Sequence, residues 1–196
     1  MKLSKMLAAA AAVLALMAFA STASATTLET NGVTQTGAVT LEWSLVGSFT
    51  YETTTGAFAN TCSVSTWQGT TSVFTGTTVG GSVSALSVSN CTHSPIVISS
   101  KGSFSVERIG TTTNGTVRTS GLTLTVPVTI FGSVVSVTCT TSNTDLGTLT
   151  GLATGTAHLS VNASIICGGT LPSIRWTATY ALTTSSGAGH AIGVVA

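Results

Sequence analysis

The sequence predicts an all-β protein, an antiparallel β-sandwich or flattened barrel with an internal duplication. Three observations carry that expectation. Apolar and polar residues alternate with period two through most of the chain beyond residue 25, the mark of half-buried strands. Glycine-containing breaks at Gly80-Gly81, Gly115, Gly132 and Gly168-Gly169 separate the runs and supply turns. A cysteine frame occurs twice, Cys62 to Cys91 and Cys139 to Cys167, and each copy opens on Thr-Cys and carries a bulky residue before Thr-Gly, at Phe74-Thr75-Gly76 and Leu149-Thr150-Gly151.

The first element is a leader. Lys2 and Lys5 precede a continuous apolar run from Met6 to Ala20, and Ala23-Ser24-Ala25 is a small-x-small cleavage site, which together describe a secretory signal peptide over residues 1–25, helical and removed on export. The run falls short of the roughly 20 residues that a membrane span needs. No second long apolar segment follows. The expectation is therefore a secreted or cell-surface protein with no integral membrane segment after cleavage, its residues 26–196 forming one β domain of two pseudo-repeats, about 30–110 and 111–185.

Strands then follow in order. Val39, Leu41, Trp43 and Leu45 alternate with polar neighbours, as do Leu122 to Ile130, Leu159 to Ile165, and Ile174 to Leu182. About ten strands are expected, within known sheet sizes. Pro127 cannot donate to a ladder, which places its strand at an edge or bulge. A slip of phase between Ala85 and Leu86 predicts a bulge there.

Beyond residue 25 the charged side chains are four basic (Lys101, Arg108, Arg118, Arg175) and five acidic (Glu29, Glu42, Glu52, Glu107, Asp145), a net charge of −1. No basic stripe exists to bind nucleic acid or anionic lipid. Solubility rests on Ser, Thr, Asn and Gly. Export places the four cysteines in an oxidising setting; of the three possible connectivities, the duplication favours pairing within each frame, Cys62 with Cys91 and Cys139 with Cys167. A metal site would need short C-x₂-C pairs, and the sequence has none.

Candidate chemistry is sparse. His93, His158 and His190 are widely separated and read as surface residues, His190 in the Gly187-Ala188-Gly189 tail. No nucleophile elbow occurs. Asp145 lies in a turn sequence, and Glu42, Glu52 and Glu107 have no local partner. Trp43 and Trp176 are in phase with apolar neighbours and read as core. Trp67, beside Gln68-Gly69 inside the first cysteine frame, is the one candidate ligand-binding residue, a stacking platform for a sugar or apolar molecule, set against a loop residue folded back on the core.

The stretches Thr61-Cys62, Phe74-Thr75-Gly76, Ser89-Asn90-Cys91-Thr92, Gly147-Thr148-Leu149-Thr150-Gly151 and Pro172-Ser173-Ile174-Arg175-Trp176 resemble those of a group of secreted bacterial Ser/Thr/Gly-rich β proteins, often actinobacterial and without an assigned role. The C…F-T-G…C frame is also similar, more distantly, to that of exported proteins described as activators of alkane oxidation. Neither resemblance implies a catalytic residue. The function expected is a non-enzymatic, cofactor-free binding or structural role at or outside the cell surface, with a cell-surface component as partner. A carrier of an apolar small molecule is the alternative, and ice or crystal-surface binding by Thr123–Thr125 and Thr148–Thr150 is a remote one.

Overall fold

The computed structural model describes residues 26–93, 95–130, 132–151, 155–169, 171–185 and 191–196. The predicted signal helix over 1–25 and the tail carrying His190 lie outside the described residues. The strands are β1 (Thr26–Thr30), β2 (Val33–Thr34), β3 (Thr40–Leu45), β4 (Phe49–Thr53), β5 (Ala59–Val73), β6 (Thr75–Gly76) and β7 (Val79–Cys91). They continue with β8 (Val97–Arg108), β9 (Gly115–Ile130), β10 (Ser133–Thr140), β11 (Thr144–Thr150), β12 (His158–Cys167), β13 (Ser173–Ser185) and β14 (Ile192–Val195).

Eight of these close a barrel. Strands β3, β5, β7, β8, β9, β11, β12 and β13 follow one another around the ring in chain order, each antiparallel to the next, and β13 returns to pair with β3. Strand β4 prolongs the place of β3 by pairing with β13 and β5, and β10 prolongs that of β11 by pairing with β9 and β12. Of the two expected architectures, the barrel is the one formed. A sandwich leaves sheet edges, whereas ring closure pairs them.

The two halves follow one plan with one exchange. In the first, the opening strand is broken between β3 and β4 at Gly47, whose φ of 81° suits glycine, and β5 runs whole. In the second, β9 runs whole and the break falls between β10 and β11, where Asn143 takes φ 49°. Each half carries one disulfide between strands paired in register, Cys62–Cys91 and Cys139–Cys167, with Cα–Cα distances of 3.9 Å. These are the pairings the duplication favours.

A second sheet caps one end. Strand β1 pairs with β14, β2 and β6, and its Leu28, with Ile192 and Val194 of β14, packs over the barrel ends of Leu41, Val117 and Leu149. Inside, an eight-stranded barrel is just wide enough for side chains to fill it. Trp43, Trp67 and Phe104 meet in the upper half, with ring centroids 6.2 and 5.1 Å apart, and Phe49 meets Trp176 at 5.2 Å lower down. The internal gaps described are apolar and about 10, 20 and 20 Å³, no more than the size of one water.

Two local expectations sharpen. The bulge lies one residue before the predicted slip, because Gln68 pairs with Ala85 but Gly69 with Val83, which passes over Ser84. Pro127 sits past the end of β8, whose last partner on β9 is Thr125. Its missing N–H therefore costs no ladder bond.

Candidate functional site

The end of the barrel opposite the cap is closed by side chains from its own turns. Phe58, Ile96 and Leu171, from the β4–β5, β7–β8 and β12–β13 connections, are all buried there. Beneath them a polar chain crosses the barrel: Thr92 Oγ1 donates to Asn60 Oδ1 at 2.9 Å, Asn60 Nδ2 to the Tyr51 hydroxyl at 2.9 Å, and that hydroxyl to the Pro127 carbonyl at 2.9 Å. The His93 amide also donates to Asn60 Oδ1. Asn60 is fully buried, and these bonds fix its amide within the barrel end. Burial pushes the Tyr51 hydroxyl above its ordinary pKa, against the Asn60 bond.

Outside this plug lies the largest of the described recesses, about 560 Å³. Its floor is Phe58, Val128 and Leu171, and exposed Thr54, Thr55 and Thr129 stand around it. That volume is on the scale of small-molecule sites. Among the described residues, no ionisable side chain lines it. An apolar floor with a hydroxyl margin and no charge can bury a hydrocarbon portion and hydrogen-bond a neutral polar one, while an ionised group would lose hydration without compensation.

Trp67 is placed differently from its loop expectation. It lies within β5, faces inward opposite Trp43, and packs edge-on to Phe104. The indole also borders a crevice of about 240 Å³ with Glu42, Thr66 and Gln68, where the Gln68 amide donates to the Glu42 carboxylate. Trp67 is therefore first a wall of the core and only secondarily a surface group. Among the described residues Trp43 Nε1 is buried with no acceptor, and Trp176 lies beside the Tyr180 hydroxyl.

The carboxylates are dispersed around the ring. Glu107 is bound by Arg118 at 2.6 Å, Glu52 lies 3.9 Å from Arg175 on the next strand, and Glu42 is taken by Gln68. The His93 ring lies against that of Phe58, centroids 5.2 Å apart and planes tilted by 40°. Among the described residues, no cluster of His, Cys, Asp and Glu could hold a metal ion, and no helix is long and apolar enough to cross a membrane.

Fold and site together define a class: a closed eight-stranded antiparallel barrel, stapled by two disulfides, filled inside, and recessed at one rim. Comparison with protein-family models, with curated proteins and with solved structures returns no match to this chain.

Proposed function

We propose that this is an exported, non-enzymatic binding protein of the cell surface or its surroundings, and that the rim recess takes a neutral amphiphilic small molecule. The observation that carries the reading is the contrast between a filled interior and a ligand-sized recess whose apolar floor and threonine margin include no ionisable group. The disulfides are compatible with an oxidising compartment, and the leader expected over residues 1–25 would deliver the chain there. A carrier with its cargo inside the barrel is less well supported, because gaps of 10 to 20 Å³ hold no such cargo.

The test is calorimetric titration of the oxidised protein with an alkyl glucoside below its micelle concentration, with free glucose and an alkyl sulfate of equal chain length as comparisons. Saturable binding of the glucoside is expected, weaker for the other two. Thr54→Lys, an exposed change at the margin, should shift the preference toward the sulfate by about tenfold, equal to about 1.4 kcal/mol. No saturable binding of a neutral amphiphile, or binding indifferent to Thr54→Lys, overturns the reading.

A further inference from the structure

Several strand lengths have one unpaired side: β7 beyond Ser82 and β8 before Ser103 face each other, with Lys101 Nζ donating to the Ser84 carbonyl between them, whereas the rim end of β10 faces outward. From Thr140 to Ser133 this strand is bonded to β9, but on its other side β12 reaches only Cys139 and Thr140, with a last bond from the Gly168 amide to the Thr138 carbonyl. Ser133 to Val137 therefore has one free edge among the described residues. The side chains of Ser133 to Ser136 are exposed, Val134 at 65% and Val135 at 40%.

Alternation along an antiparallel pair decides which backbone groups face that edge. Thr138 points its carbonyl to the β12 side, so Ser136 and Val134, in phase with it, present their N–H and C=O groups outward, while Val137, Val135 and Ser133 bond β9. Natural edges are commonly blunted by Lys, Pro, bulges or short length. This one is short but carries no Lys, Pro or bulge: it is Ser-Val-Val-Ser-Val in regular register. The outward rows beside it are uncharged too, with Val97 on β8, Thr123 and Thr125 on β9, Thr138 and Thr140 on β10 and Ile166 on β12.

We infer that this edge pairs with the same edge of a second copy of the chain, antiparallel and two-fold about Val135. A two-fold antiparallel pair must place one residue opposite itself, and Val135 is the choice that sets Val134 of each copy against Ser136 of the other. Each of those residues then both donates and accepts, giving four backbone hydrogen bonds from groups that no strand among the described residues pairs. A different protein would have to supply a matching strand. A second copy supplies it automatically, and the absence of charge on the edge and its flanking rows removes the repulsion that usually keeps like surfaces apart. The joined β9–β10 hairpins form one continuous sheet between two barrels, a symmetric and closed assembly.

The inference is independent of the rim ligand and is tested by sedimentation equilibrium of the oxidised protein over a micromolar range. A dimer is expected. Ser136→Pro removes an outward N–H that β9 does not use, and Val134→Lys puts a charge on the joined face; each should raise the dissociation constant by about tenfold or more with circular dichroism unchanged. If the proline variant misfolds, the lysine variant carries the test. Val135→Cys should cross-link two copies on oxidation, whereas Thr138→Cys should not. A monomeric wild-type protein, a dimer indifferent to both substitutions, or cross-linking at residue 138 rather than 135 overturns the proposal, as does an edge that takes up only an added β-strand peptide.

Discussion

Both tyrosines of the chain face inward, and their hydroxyls do structural work that can be read by titration. Tyr180 is held by Ser65 at 2.9 Å, and burial, outweighing that bond, pushes its pKa up to about 12 from an ordinary value of 10.0. A raised folded-state value means that the native protein holds the proton more tightly than the unfolded chain, so this contribution is complete below pH about 10 and is lost as pH rises toward about 12. The loss is on the order of 3 kcal/mol. Tyr51 shifts in the same direction. Tyrosinate absorbance and circular dichroism should therefore change together in alkali; ionisation well before unfolding would contradict the buried placement. Asn60→Ala should cost about 2 to 3 kcal/mol in guanidinium unfolding, because it strips a partner from the buried Tyr51 hydroxyl and unties Thr92 and the His93 amide of the β7–β8 connection.

At the scale of the strand, Gly81 of β7 marks where two backbones approach too closely for any side chain. A Cβ there would collide with the Thr70 carbonyl and the Thr71 backbone of β5. Gly81→Ala is expected to lower the unfolding free energy by about 2 kcal/mol or more, while Gly37→Ala, which meets nothing within 4 Å, should stay within about 0.5 kcal/mol. Equal unfolding midpoints for the two would refute the close approach. The same strand pair shows why part of the sequence misleads. The runs at β9, β12 and β13 were legible because their inward rows are aliphatic or aromatic. Strand β5 turns Asn60, Cys62, Ser65, Gly69 and Thr71 inward, and these are satisfied by Tyr51, a disulfide, Tyr180 and the Val39 backbone. A polar inward row erases the alternation, and Trp67 within it looked like a loop residue for that reason. The rim recess left no sequence signal either, since its walls come from three turns far apart in the chain.

Across the whole molecule, the duplicated cysteine frame was the most readable feature, because repetition selects one connectivity once the cysteines are expected to pair. Each bridge closes a segment of 28 or 29 residues, which in the chain-entropy model is about 3 to 4 kcal/mol. Cys62→Ala with Cys91→Ala should lower stability by that order, and full reduction by up to about twice as much; thermal midpoints with and without reductant measure it. Closure of the ring was not legible, since alternation shows that a strand has one buried face but not whether its neighbours wrap into a cylinder or stack as two layers. The capping sheet has a mechanical consequence. Because β1 and β14 run antiparallel with Thr27 opposite Val195 and Thr30 opposite Ile192, tension applied through the two ends of residues 26–196 loads this ladder one pair at a time, from Thr27 inward, as a zipper and not in shear. The lid should peel at low force and uncover Leu41, Val117 and Leu149 while the cylinder, cross-linked at its far rim, still bears load.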